Sequence, residues 1–215
     1  MKSTCPKLLA TTLVFTAHLL GIPPSLAQSQ PISIFVVRHS ETDNSQTTIP
    51  LSVTGRQRAE VLTKTVSGVK FTHLFATHTI RTRQMLEAIA QAQNVPITQL
   101  PVPGSILDGH AVTDQTSRRA AIEPIAAALL KLPPGSTALA VLNSENIFAI
   151  LNRLGVPAAG ADQFCKSGSM CVPCLDNKCF PAEYDHLWHL VLESGKAVPL
   201  TLVELRYGLG WKPDR

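Results

Sequence analysis

Across 215 residues no apolar run reaches the roughly 18 residues that a membrane-spanning helix needs, which excludes an integral membrane protein. The chain also lacks lysine and arginine runs, and aromatic residues make up only 5% of it. A net charge of +4 and a pI near 8.9 therefore do not form the basic, aromatic-interleaved surface that binds nucleic acid. Charged residues are few, at 16%, but hydrophobic residues reach 45% and mean hydropathy is +0.14, so wholesale disorder is excluded. No internal repeat or low-complexity segment is visible. The length suits one sizeable core and excludes more than two full domains.

The first 27 residues read as an export address. Lys2 and Lys7 form a positive start, residues 8 to 20 are mostly apolar, Pro23 and Pro24 break any helix, and Ser25-Leu26-Ala27 offers a small-x-small cleavage site. No cysteine follows that site, which argues against a lipid anchor and for a periplasmic or secreted product without stable membrane insertion. Removing this segment leaves 188 residues, four cysteines and a net charge of +2, too little for strong electrostatic steering.

Residues 28–215 form the second unit. Ile32 to Val37 is a continuous β-branched apolar run, the pattern of a strand buried on both faces. Thr54 can cap a helix over residues 56 to 66, ended by Gly68. A short strand over 72 to 76, a helix over 79 to 93 and a strand over 97 to 100 follow. Residues 115 to 131 predict a helix that contains Pro124 and is kinked or broken at Glu123, and Pro133-Pro134-Gly135 a turn. Next come a strand over 137 to 142, a helix over 144 to 154, an irregular cysteine-bearing excursion over about 156 to 183, and two strands around Ser194-Gly195-Lys196. Strands alternating with helices predict an α/β three-layer sandwich: a mostly parallel sheet, helices on both faces and an antiparallel edge strand.

In such a sheet ligands bind beyond the carboxyl ends of the strands, where strand order reverses. Three strand ends carry polar residues there: Arg38-His39-Ser40-Glu41-Thr42, Thr77 to Arg81, and Asn143-Ser144-Glu145-Asn146. Two arginines and a histidine converging on one pocket suit a phosphate dianion. Guanidinium groups grip phosphoryl oxygens in pairs, and a neutral imidazole can attack phosphorus.

The motifs VVRHSET, LSVTGRQRAE, ATHTIRTRQMLEAIA, ALAVLNSENIFAILNRLGV, EYDHLWHLVL and LVELRYG, in this order, resemble the histidine phosphatase (phosphoglycerate-mutase-like) superfamily. The likeness spans about residues 32 to 207 apart from the cysteine excursion. It implies metal-independent phosphomonoester hydrolysis without a cofactor, acting on a small phosphorylated substrate. By resemblance His39 is the nucleophile that becomes phosphohistidine, and Arg38 and Arg81 bind the phosphoryl oxygens, with Thr42 a further contact. Asp108 falls where many members place the acid that protonates the leaving oxygen; His110 and Asp114 are alternatives to it.

Two departures qualify that expectation. Ser40 stands where the family usually has glycine, a strained choice if the position needs positive φ. Asn143 stands where the family's second histidine normally lies. Its amide can donate a hydrogen bond to a phosphoryl oxygen but brings no positive charge. Loss of one such stabilising group costs roughly 10²–10³ in rate. The chain is therefore read as a weak phosphomonoesterase or, alternatively, as a catalytically impaired pseudoenzyme that keeps a phosphate- or ligand-binding pocket. His78 and His110 are further imidazoles in loops expected to border that pocket.

Cys165, Cys171, Cys174 and Cys179 have the spacing C-x₅-C-x₂-C-x₄-C. Four thiolates this close can bind a metal, but in an oxidising compartment two disulfides are the simpler outcome, with three possible connectivities. No resident metal is expected, and the excursion is placed near the pocket as a cover or a partner surface.

Overall fold

The computed structural model describes residues 30–100, 115–156, 171–175, 178–181, 183–193, 196 and 199–208, with the backbone alone for 115–121, 145, 171–175 and 178–180. Residues 1–27, read above as an export signal, and Asp108, His110, Asp114 and Cys165 lie outside these residues.

Six strands form one sheet in the order β3-β2-β4-β1-β7-β8. They are β1 (Ile32–Arg38), β2 (His73–Thr77), β3 (Ile97–Leu100), β4 (Thr137–Leu142), β7 (His186–Leu192) and β8 (Pro199–Arg206). The first four run parallel. β7 lies antiparallel to β1, and β8 antiparallel to β7 at the edge. The mostly parallel sheet with an antiparallel edge is the architecture that the alternating strand and helix pattern predicts.

Alternation along the strands divides the core. Ile32, Ile34 and Val36 of β1, Ala138, Ala140 and Leu142 of β4, and Trp188, Leu190 and Leu192 of β7 face one side. There they meet Ile122, Ile125 and Leu129 of α4 (Gln115–Leu130) and Ile147, Ile150 and Leu151 of α5 (Ile147–Arg153). Phe35, Val37, Leu139 and Val141 face the other side, against Ala59 and Leu62 of α1 (Val53–Thr65), Met85, Leu86, and Ile89 of α3 (Glu87–Gln93). Full burial of each large apolar side chain contributes about 1.5–3 kcal/mol, so a strand buried on both faces anchors both layers. β1 is therefore rigid where it delivers its last residues.

Several element ends differ from the sequence expectation. Helix α1 starts at Val53, and its cap is Ser52 rather than Thr54: the Ser52 hydroxyl accepts from the Gly55 amide at 3.0 Å. The end at Gly68 is replaced by an end at Thr65, where the Val66 amide donates to Leu62 and Lys64 carbonyls. The helix expected over 79 to 93 splits into α2 (Ile80–Gln84) and α3, because Met85 and Leu86 are both drawn fully into the core at the junction. α4 runs through Pro124 as one helix. Residues 144–146 form a 3₁₀ turn ahead of α5, which ends at Gly155 in the left-handed region (φ 88°). The excursion expected to be irregular holds an antiparallel hairpin, β5 (Cys171–Leu175) and β6 (Lys178–Pro181). Among the described residues no helix is long and apolar enough to cross a membrane.

Candidate active site

The crossover from β1 to β2 skips a place in the sheet, and β4 later fills it. The carboxyl ends of β1, β4 and β2 are thus neighbours: Arg38 pairs with Leu142, Ala76 with Val141, and the His39 amide donates to the Leu142 carbonyl at 3.0 Å. His39, Asn143 and Thr77 emerge side by side from this edge, and all three are buried.

His39 is 7% exposed, and its Nδ1 lies 2.8 Å from the Ser40 carbonyl oxygen. A carbonyl only accepts, so Nδ1 carries the proton and Nε2 is left with its lone pair. Burial lowers the His39 pKa from 6.5 to about 3, and the positive charge of Arg81 and then of Arg38 pushes the same way. The imidazole is neutral at any physiological pH. A buried neutral imidazole with a free Nε2 between two cations is what a nucleophile toward a phosphate dianion requires.

Arg38 is held in part by the segment after β6. Its Nη1 donates to the Pro181 carbonyl at 2.7 Å, and its guanidinium carbon sits 4.0 Å from the centroid of the Tyr184 ring. Arg81 enters from the first turn of α2. Asn143 directs its Oδ1 toward two hydroxyls, Thr77 at 3.2 Å and Thr79 at 3.1 Å, which leaves its NH₂ as the end able to donate. Thr82 closes the hydroxyl cluster, 3.0 Å from Thr77. His78, half-buried, follows β2 directly. Thr42 turns its hydroxyl to Asn44 at 2.9 Å and pairs in an isolated bridge with Leu51, so its side chain is engaged within its own loop.

Ser40 carries no backbone strain. Among the described residues other than glycine, positive φ occurs at Ile49 and Asn94 only. Its hydroxyl instead donates to Glu41, whose carboxylate is held by Arg58 through Nε at 2.9 Å and Nη2 at 2.5 Å. Burial raises the Glu41 pKa, but the Arg58 and Ser40 hydrogen bonds outweigh it and hold the carboxyl below its usual range. An unscreened carboxylate two residues from His39 would repel a dianion; Arg58 cancels that charge. Gly55 makes this arrangement possible. A Cβ there would stand 2.1 Å from the Glu41 carbonyl oxygen, so only glycine lets α1 approach the segment that follows His39.

Sequence reasoning named Glu41 without giving it a partner, and it missed Arg58, Tyr184, Pro181 and the threonine cluster. Each lies within a quoted motif or beside one, yet its contacts depend on tertiary packing: of α1 on the segment after β1, of β4 beside β2, and of the chain that leads into β7. Glu183, Asp185 and His186 offer three ligand atoms within 4.8 Å of one another. Arg206 already bridges both carboxylates, with Nη2 at 2.7 Å from Asp185, and supplies the compensating charge there. The backbones of Cys171, Cys174 and Cys179 lie in the β5–β6 hairpin.

Residues 34–102 match the family model of the histidine phosphatase superfamily, branch 1. Over these residues the chain is similar to that superfamily. No curated protein matches the chain. Among solved structures it is similar to phosphoglycerate mutase from Plasmodium falciparum, at 15% identity over 83% of this chain and 91% of that one, with a TM-score of 0.50. A phosphoserine phosphatase from Entamoeba histolytica in complex with 3-phosphoglyceric acid matches at 14% identity over 80% and 96%, TM-score 0.50. The protein histidine phosphatase SixA complexed with tungstate matches at 13% identity over 81% and 96%, TM-score 0.50. At these identities the structural likeness shows the fold. The matched stretch contains His39, Arg38 and Arg81; Asn143, Pro181 and Tyr184 lie beyond it.

Proposed function

We propose that this chain is a phosphomonoesterase that works through phosphohistidine at His39, at a rate reduced by Asn143. The observation that carries the reading is the neutral imidazole with its Nδ1 proton fixed on the Ser40 carbonyl, flanked by two arginines. In the first step the Nε2 lone pair attacks phosphorus, an N–P bond forms and the ester P–O bond breaks. The leaving oxygen takes a proton from an acid, the role assigned by resemblance to Asp108. In the second step water attacks phosphorus and gives one proton back to that acid, the N–P bond breaks with its electron pair returning to Nε2, and inorganic phosphate leaves with His39 neutral again. Arg38 and Arg81 offset the phosphoryl charge throughout.

Asn143 favours a second reading, a pocket that binds phosphate without turnover. With Oδ1 engaged by Thr77 and Thr79, its amide donates at most one or two neutral hydrogen bonds and adds no charge to the transition state. The test is hydrolysis of an aryl phosphate from pH 4 to 8 by the native chain, His39→Ala and Asn143→His. Turnover that vanishes in His39→Ala and rises in Asn143→His supports the slow enzyme. Phosphate binding with equal, null rates in the native chain and His39→Ala selects the binding protein. The same reading takes residues 1–27 as an export signal and the four cysteines as two disulfides, supported by the leader pattern and the cysteine spacing. Thiol titration of the unfolded protein checks the latter.

A further inference from the structure

Arg38 is a residue at the end of β1, and two of its guanidinium contacts come from far along the chain. Pro181 is the last residue of β6, and β6 packs on both the 3₁₀ turn that follows Asn143 and α5. From there the chain crosses the ends of β4 and β1 to reach β7. On this crossing Pro181 accepts from Arg38, and Tyr184 lays its ring against the guanidinium, with the ring centroid 6.3 Å from that of His39. The crossing segment is itself pinned. The Tyr207 hydroxyl, buried at 1% exposure, donates to the Tyr184 carbonyl at 2.7 Å, and the Tyr207 amide donates to the Asp185 carbonyl at 2.9 Å. Arg206 ties both flanking carboxylates, Glu183 and Asp185.

We propose that Tyr184 is a positioning residue for Arg38: together with the Pro181 carbonyl it fixes the guanidinium in the plane and place where it grips phosphate, so Pro181 and Tyr184 form a working wall of the pocket. This rests on the phosphate-binding reading of Arg38. A long arginine side chain loses rotamer freedom when it binds, and a stacked, hydrogen-bonded guanidinium has lost it already. The aromatic face supplies the restraint, so phenylalanine should replace tyrosine at little cost whereas leucine should not. A cation–π contact at a partly exposed site corresponds to an affinity change of up to about tenfold.

The test measures inorganic phosphate affinity by calorimetry in the native chain, Tyr184→Phe, Tyr184→Leu, Arg38→Ala and the Arg38→Ala/Tyr184→Leu pair. The proposal expects near-native binding in Tyr184→Phe and about tenfold weaker binding in Tyr184→Leu. It also expects no further loss when Tyr184→Leu is added to Arg38→Ala. Additive losses mean that Tyr184 acts on phosphate or on the fold without Arg38, and they overturn the proposal. A native chain that binds no phosphate overturns the phosphate reading instead. The positioning role is then judged on the NMR titration of His39. Release of Arg38 in Tyr184→Leu should raise the His39 pKa, with no such change in Tyr184→Phe, and an unmoved pKa in both variants refutes it.

Discussion

Replacing His39 by glutamine removes a group that the folded protein keeps neutral and the unfolded chain does not. In the folded state burial and the two arginines place the His39 pKa at about 3, against 6.5 ordinarily. Between those values the unfolded chain holds a proton that the folded one lacks, so the contribution of His39 to stability falls as pH falls from 6.5 toward 3. Each pH unit in that window costs about 1.4 kcal/mol. At pH 7 the penalty is nearly absent, and at pH 5 it is about 2 kcal/mol, a figure that holds wherever below 5 the folded pKa lies. Urea unfolding at pH 7 and pH 5 reads it directly: the native chain should lose about 2 kcal/mol more than His39→Gln over this interval. His189, also lowered by burial, adds the same slope to both proteins and cancels. Glu41, held below its usual range, gives stability that is lost only as pH falls further and lies outside the interval. Equal losses in the two proteins would mean that His39 takes up a proton in the folded state, and the argument for a neutral nucleophile would fail with it.

The charge compensation beside His39 gives two further predictions. Arg58→Met leaves the Glu41 carboxylate, 22% exposed, without its partner and should cost about 3 kcal/mol in chemical denaturation. Adding Glu41→Gln should recover most of that, and recovery of none would show that Arg58 acts through packing alone. Gly55→Ala forces a Cβ against the Glu41 carbonyl and should cost about 1–3 kcal/mol while weakening phosphate affinity, because the displaced segment begins at His39. An alanine variant with native stability and native phosphate affinity would refute the close-approach argument.

The strands of the sheet were legible because their signal is local. The unbroken apolar run of β1 and the β4 sequence announce burial on both faces, and Ile97–Leu100 falls where its pattern predicts. Helix ends were less legible for a physical reason. Ser52 and Thr54 both carry a hydroxyl, and the choice is made by Leu51, which is fully buried and bridged to Thr42, so that the chain turns into α1 immediately after it. The β5–β6 hairpin was hidden because its cysteine, proline and charged residues show no two-residue apolar alternation; pairing there is a property of the backbone that composition does not advertise.

The candidate site divides along the same line. Its strand-end residues, Arg38, His39 and Asn143, follow from a rule about parallel sheets and need nothing but the order of strands and helices. The residues that tune them do not. Glu41 meets Arg58 across 17 positions, a contact that exists only once α1 closes on the segment after β1 at Gly55; Arg38 meets Pro181 across 143, a contact that exists only once the chain crosses the end of β1 to reach β7. The substitution at Asn143 belongs to both classes. The missing imidazole is plain from the sequence, whereas the two threonine hydroxyls that hold its amide oxygen come from the neighbouring strand end. A site that had simply decayed would have no reason to keep that amide oriented, the Glu41 charge cancelled and the Arg38 guanidinium stacked. Their joint presence in one fold supports the proposed reading of a pocket built to bind phosphate, whatever rate His39 achieves.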